Sequence, residues 1–472
     1  MSWFFAADPR ALAGAVLMAC LTGCVSYEAK PLVPADTAAA FDSRTLHDAE
    51  LQKLLSGALP ATTSQSPRYN LRRLTGVAYY YHPDLDLARA RWQVAQAAAI
   101  TAGARPNPGL NLSAEFNADA PDDTSRWARG VSLSIPIETA GKRGHRIAQA
   151  RHLAEAARLN LLDTAWLVRS RVRQSWLNSY PSEQLVVAQQ LLESERVRLM
   201  ERRLQLGFSA APDLTEARIA LQQATLARQE VHRRLAENRV RLASALGLPI
   251  RALEGIALSF DGFEHLPDVS ALPALDVQRQ ALLRRPDVRA ALADYQASQS
   301  ALQIEVARQY PDITLGPGFI MDAGQAKWSL GLSLVLPLLN RNQGPIAEAE
   351  ARRQLAAANF LAVQTRAIGE AEQALAGYRA MLDKLRTADA LLSTERRKEQ
   401  SAARLQRAGE TDRSTLLGAQ VELAVAELAR VETLLQTQQA LGALEDAVRQ
   451  PLDGELLPAI TIEHNPRDQD MK

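Results

Sequence analysis

One segment occurs twice in this chain, and the two copies lie 203 residues apart. His82-Pro83-Asp84-Leu85 leads to Ala104-Arg105-Pro106-Asn107-Pro108. Arg285-Pro286-Asp287-Val288 leads, at the same spacing, to Ala307-Arg308-Gln309-Tyr310-Pro311. Solenoid repeats have periods of roughly 20–50 residues, so this is a duplicated half-molecule rather than a string of small modules. Each half must build the same elements in the same order.

The elements follow from periodicity. From Asp84 to Ala104 the pattern is helical, with Leu87, Arg91, Val94 and Ala98 on one side, and Pro106 and Pro108 end it. Leu110, Leu112, Ala114 and Phe116 then alternate with Asn111, Ser113, Glu115 and Asn117. Val131, Leu133, Ile135 and Ile137 alternate with Ser132 and Ser134 after a polar turn at Pro121–Ser125. That period of two predicts strands over about 109–117 and 130–137. The second half repeats it over about 311–320 and 328–337, with Leu330, Leu332, Leu334 and Leu336 alternating against Ser329, Gly331 and Ser333. Pro136 and Pro337 sit near the ends of the second strands. Strands of this length suit a tilted crossing of a bilayer.

Stretches almost free of Gly and Pro follow each hairpin, from Gly144 to Leu206 and from Ile346 to Ala408. Some 63 residues of helix would reach roughly 95 Å, too long to be covered by a globular core. Pro181 should kink or unwind the first of them, and the second has no matching proline. Both end in turn chemistry at equivalent sites, Gly207-Phe208-Ser209 and Gly409-Glu410-Thr411. A returning helix follows each. The expected organisation is a lead-in at 24–75 with a helix near Phe41–Leu55, a first repeat at 76–250 and a linker at 251–278. A second repeat at 279–452 and a polar tail at 453–472 complete it.

Residues 1–23 read as an export signal, with a short apolar run at 11–20. Leu21-Thr22-Gly23-Cys24 has the form of a bacterial lipobox. Leu17-Met18-Ala19-Cys20 competes with it, and Cys24 is favoured because it leaves the longer apolar run. These are the only cysteines, so no disulfide is expected in the mature chain. No later stretch is apolar enough for a membrane helix. The net charge of +1 offers no basic face to nucleic acid. An exported, lipid-anchored chain with short alternating strands has the outer membrane as its natural place.

Four strands cannot close a transmembrane barrel, and an open edge is not tolerated in lipid. A dimer would supply eight strands, whose interior side chains fill. A trimer would supply twelve and enclose water. The Ser and Asn set would then line the lumen, and the Leu, Val and Ile set would face lipid. Twelve helices would continue the tube for about 100 Å at 1.5 Å per residue. The fold class expected is therefore mainly α with a small β part: duplicated halves forming a trimeric 12-stranded barrel continued by a helical barrel.

Here the residues resemble a family. The paired Pro83-Asp84 and Pro286-Asp287 starts, and the Arg105–Pro108 and Arg308–Pro311 motifs, are similar to those of the TolC-type outer-membrane efflux proteins. So are the tips, with Leu204-x-x-Gly207 and the following Leu214 and Leu416. Pro136-Ile137-Glu138-Thr139-Ala140-Gly141-Lys142-Arg143-Gly144 is similar to a segment of the CzcC-like branch, whose members serve resistance-nodulation-division (RND) pumps, often for heavy metals. The resemblance implies a homotrimer joined through a periplasmic membrane-fusion adaptor to an inner-membrane RND pump. Its adaptor-contacting and gating residues would be Gly207, Phe208, Ser209, Asp213, Leu214, Gly409 and Leu416. The exit duct of a type I protein secretion system is the alternative within this architecture. A periplasmic coiled-coil scaffold is the alternative outside it.

Other candidates concern the membrane boundary. Trp127 and Trp328 lie just before the second strands, where aromatic belts occur. Lys142, Arg143, His145, Arg146 and Arg151 cluster at the start of a helix, where cations oppose the macrodipole. They are open to two readings, attraction to anionic headgroups of outer-membrane lipid or a solvated face. His145 and His152 are the closest histidine pair and fall short of the three or four ligands a metal needs. Trp92, Trp166 and Trp176 read as packing residues. With no nucleophile motif, phosphate loop or cofactor fingerprint, no catalysis, cofactor or metal site is expected.

Overall fold

The computed structural model describes residues 26–58, 68–119, 121, 124–268 and 284–452. The chain forms two compact units, Met1–Arg44 and Thr45–Lys472. In the first, α1 (Pro34–Asp42) places Pro34 in its opening turn, where a missing N–H costs nothing. The Arg44 guanidinium lies 5.3 Å above the Phe41 ring. The second unit begins with α2 (Ala49–Ala58). The single helix expected at Phe41–Leu55 is thus corrected to two. The missed signal is Asp48, whose Oδ1 accepts the Leu51 N–H at 2.9 Å and starts a new helix.

The repeats then follow with matched elements. The first contains α3 (Leu71–Tyr81), α4 (Pro83–Ala102), β1 (Gly109–Phe116), β2 (Trp127–Ile137), α5 (Lys142–Leu177), α6 (Glu183–Gln205) and α7 (Ala211–Leu246). The second contains α8 (Pro286–Ala307), β3 (Ile313–Asp322), β4 (Gln325–Leu334), α9 (Gln343–Arg407) and α10 (Arg413–Val448). At 65 residues α9 runs unbroken for about 98 Å. Its first-repeat counterpart is split into α5 and α6 at Asn178–Ser182, around Pro181. Proline offers no N–H to a helix and clashes with the preceding turn, so the break falls there and nowhere in α9.

The four strands make one antiparallel sheet in the order β1-β2-β3-β4. Pairing of β2 with β3 joins the two hairpins across the repeat boundary, and β1 and β4 are left as edges. Register sorts the side chains. Leu110 lies opposite Leu133, Leu112 opposite Val131, and Phe116 opposite Trp127. Val131 lies opposite Phe319 and Ile135 opposite Leu315, while Leu332 and Trp328 continue the row on β4. The alternating apolar sets of all four strands therefore share one face. The opposite face carries Asn111, Ser113, Ser132, Ser134, Gly316, Gly318, Ser329 and Ser333. Along β2 the apolar residues are exposed and the small ones half-buried, as expected for a sheet curled around its small-residue face. A Cβ on Gly318 would sit 2.8 Å from Ser329 Oγ, and one on Gly130 2.5 Å from Ser113 Oγ. Glycine permits that curl. Pro136 lies within β2, whereas β4 ends at Leu334 and Pro337 falls beyond it.

The main core gathers Leu74, Val77, Leu85, Leu161, Val168, Val172 and Leu246. Residues 256–268, read from sequence as linker, pack into it. Phe260 stacks on Trp176 at 5.0 Å between ring centres, and Phe263 stacks on Tyr180 at 4.2 Å. Trp176 is thus a packing residue held by this segment, and its Nε1 donates to the Ser259 carbonyl.

Candidate functional site: sheet faces, junctions and helix tips

The sheet is the first part of the site. Its turn end is marked twice by the same aromatic contact: Phe116 with Trp127 at 5.1 Å and 59°, and Phe319 with Trp328 at 4.9 Å and 58°. Both tryptophans are exposed on the apolar face, Trp328 at 83%. At the other end, Val335, Leu336, Leu338 and Leu339 continue past β4 as an exposed apolar run, with Leu339 wholly open.

At the strand–helix junction the sequence expectation needs correction. Lys142 is buried, and its Nζ donates to the Tyr310 carbonyl at 2.6 Å and to Asp312 Oδ1 at 2.7 Å. A buried ammonium so paired is not presented to headgroups. Arg143 donates from Nε to the Gly103 carbonyl at 2.7 Å, and Arg146 forks onto both carboxylate oxygens of Glu138. At Lys142, Arg143 and Arg146 the cluster fastens the first repeat to itself and to the second, while Arg151 stays exposed. Thr139 adds to the seam, its N–H donating to Asp312 at 2.9 Å and its hydroxyl to the Pro311 carbonyl at 2.7 Å. Among the described residues no three His, Cys, Asp or Glu side chains gather to hold a metal.

The two helix tips share one geometry. Gly207 and Gly409 have φ of +77° and +79°, the left-handed conformation glycine adopts without strain. The next residue's N–H reaches five back, Phe208 to the Arg203 carbonyl at 2.8 Å and Glu410 to the Leu405 carbonyl at 3.0 Å. The returning helices start differently. Asp213 accepts the Ala210 N–H at 3.0 Å and the Ser209 hydroxyl at 2.9 Å, which hold its carboxyl below the usual range. In the second tip Asp412 itself caps α10, accepting the Thr415 N–H at 3.0 Å. Phe208 is exposed at the end of the first tip. Leu214 and Leu416 are buried instead, packed between the helices of their own hairpins against Val197 and Ala402. A contact role for these two leucines is corrected to a packing one. Arg203 pairs with Asp412, and Arg413 with Glu195, so charge links one tip to the other.

Further up each hairpin lies a pair of residues whose placement the sequence did not signal. Glu193 and Glu395 stand 202 positions apart, the same offset as Gly207 and Gly409. Each has a buried Oε2 with no hydrogen-bond partner. Burial pushes the Glu193 carboxyl above its usual range, opposed by Arg196 at 3.8 Å. A third internal network is made by Arg169 and Arg173 on Glu445, at 2.9 and 2.6 Å, with Trp166 Nε1 and Ser170 donating to Asp446. All of it is internal to the helices, and none of it forms a reaction centre.

A family model described as outer membrane efflux protein matches residues 78–248 and 277–448, one match for each repeat. The chain belongs to that family. Among its relatives, the cobalt-zinc-cadmium resistance protein CzcC of Cupriavidus metallidurans is 27% identical over 54% of this chain and 60% of its own length. The pyoverdine export outer membrane protein OpmQ of Pseudomonas putida is 29% identical over 80% of this chain and 85% of its own. Among solved structures, VceC of Vibrio cholerae has the same fold, with a TM-score of 0.65 at 19% identity over 80% of this chain and 95% of that one. Membership places this efflux protein in the outer membrane and among transport proteins rather than enzymes. The periplasmic scaffold alternative is thereby removed. Cys20 and Cys24 lie outside the described residues.

Proposed function

We propose that this efflux protein is the outer-membrane channel of a tripartite RND-type system and passively conducts heavy-metal cations outward. One observation carries the reading: a four-stranded sheet with both edges unpaired among the described residues and its apolar residues gathered on one face. Such a sheet meets lipid only as part of a closed barrel, and three copies give twelve strands around a watery lumen. The helical regions lean the same way. Leu87, Val94, Leu226 and Leu355 are exposed in the single chain and are covered when copies associate. Cys24 is the lipidation site, Trp127 and Trp328 seat the barrel at the outer interface, and the adaptor engages the exposed tip at Gly207, Phe208 and Ser209 and its counterpart at Gly409.

Metal cargo draws support from the names of two relatives, the cobalt-zinc-cadmium resistance protein CzcC and the nickel-cobalt-cadmium resistance protein NccC of Alcaligenes xylosoxydans, and the name of a third, the probable outer membrane lipoprotein SilC of Salmonella typhimurium, supports the lipid anchor. The segment Pro136–Gly144 adds to it. The test is deletion of the gene in its host, followed by growth on graded cobalt, zinc and cadmium and on a panel of organic toxicants. Lowered metal tolerance, restored by the gene in trans, is the expected outcome. Sensitivity to the organic panel alone would reassign the cargo.

A further inference from the structure

Arg129 breaks the pattern of the apolar face. Register sets it between Ala114 of β1 and Met321 of β3, two residues along β2 from Trp127. Every other residue that the four strands place on this face is apolar. Among the described residues the Arg129 side chain has no hydrogen bond and no ion pair. Glu115 is close in sequence space but pairs with Ala128 and so belongs to the opposite face. On the proposed assembly the added strand supplies no partner either. A neighbouring β4 laid along β1 would add Trp328, Leu330 and Leu332 to this face, and no carboxylate.

The fold does not demand the charge. Trp127 and Trp328 occupy matching places, and two residues on, the second repeat has Leu330 where the first has Arg129. An arginine facing lipid costs roughly 2–4 kcal/mol at the bilayer midplane and about 0–1 near an interface. The Phe116–Trp127 and Phe319–Trp328 contacts mark the turn end of the hairpins as such an interface. From there the guanidinium reaches the headgroup layer on its own stem. Its planar fork matches phosphate with two parallel hydrogen bonds.

We propose that Arg129 is a binding point for the phosphate of an anionic lipid in the leaflet on the hairpin-turn side of the membrane. This rests on the reading that the apolar face meets lipid. The test uses the full-length assembly purified in detergent, wild type beside Arg129→Leu and Arg129→Lys, with native mass spectrometry to count bound lipid. Dioleoylphosphatidic acid is the probe, and dioleoylglycerol, with the same chains and no phosphate, is its control. Arg129→Leu should bind phosphatidic acid about tenfold more weakly, as expected for losing charge-assisted hydrogen bonds. Arg129→Lys should fall between, and dioleoylglycerol should bind all three alike. Equal binding of phosphatidic acid to wild type and Arg129→Leu would overturn the proposal. So would its displacement by inorganic phosphate at equal concentration, which would mark a free-anion site. A parallel measurement reconstitutes the proteins in brominated phosphatidylcholine. Tryptophan quenching in both, with unchanged phosphatidic acid binding, sinks only the Arg129 site. Absence of quenching in both sinks the lipid-facing reading itself.

Discussion

Lys142 of the first repeat holds Asp312 of the second at 2.7 Å, at the level where strands give way to helices. The same ammonium takes the Tyr310 carbonyl, so the start of α5 is tied to the entry of β3. Within each repeat the start of the long helix is also tied back to the helix before the hairpin, by Arg143 donating to the Gly103 carbonyl at 2.7 Å in the first and by Asn342 donating to the Glu305 carbonyl at 2.8 Å and to its carboxylate at 3.0 Å in the second. Two copies of one ancestral element have thus solved the same joint with different residues.

Replacing Lys142 with methionine keeps the buried stem and deletes both donors. The Tyr310 carbonyl loses this donor and Asp312 is left with Thr139 alone, which costs about 1–3 kcal/mol. Circular-dichroism melting of the detergent-purified protein should show a transition several degrees lower. An unchanged transition would mean that water replaces the lysine at no cost.

Gly442 allows Arg173 to lie across α10. A Cβ there would stand 2.6 Å from Arg173 Nε, and the same guanidinium donates to the Gly442 carbonyl at 2.7 Å. Gly442→Ala should therefore cost about 1–3 kcal/mol as overpacking, although alanine is the better helix former. Arg173→Met should cost about 3–5 kcal/mol, because Glu445 loses one of two buried partners. Urea titration of the two variants checks both the sign and the order.

The link between the tips is sensitive to charge. The Arg203 guanidinium, with the Thr415 N–H, holds Asp412 below the usual carboxylate range. A lowered folded-state pKa stabilises the link above the ordinary value of roughly 3.8–3.9 and releases it as pH falls through the lower one. Channel recordings should therefore show this link intact from pH 8 to pH 5. Asp412→Asn removes it at neutral pH. An exposed pair is worth about 0.2–1 kcal/mol, so the open-to-closed ratio should rise by up to about fivefold. Identical gating in wild type and Asp412→Asn would show that this pair does not restrain the tips.

Glu193 should behave in the opposite sense. Its raised pKa means that the folded state favours the proton, so its contribution is fully present below about pH 4.3 and is lost as pH rises through the folded value. Glu193→Gln puts a neutral amide in its place and should stabilise the protein by about 1 kcal/mol at pH 7. The gain should vanish near pH 4. A constant difference between the two proteins from pH 4 to pH 8 would rule out titration of this carboxyl.

The duplication, the hairpins and the glycine-ended tips were legible because each rests on local rules: period two, missing helix breakers, left-handed glycine. Pro181 was legible for the same reason. What escaped was decided by partners far along the chain. Lys142 read as a cation in a basic cluster, and only Asp312, 170 positions away, removes it from the surface. Glu193 belongs to a run of alternating charge whose default reading is a solvated face, yet it is buried. Phe260 and Phe263 sat in a proline-bearing segment that resembled a linker, and it is Trp176 and Tyr180 that draw them inward. Leu214 and Leu416 were rightly tied to the tips, but the face they turn depends on helix pairing.

The unpaired edges at β1 and β4 also bear on inheritance. A copy that folds its helices but carries a broken edge strand can still enter an assembly through them, and it then denies closure to its normal neighbours. In a cell making equal amounts of normal and edge-defective chains, only one ring of three in eight would be free of the defect. Edge mutations should therefore act as dominant alleles, whereas loss of the whole gene should be recessive.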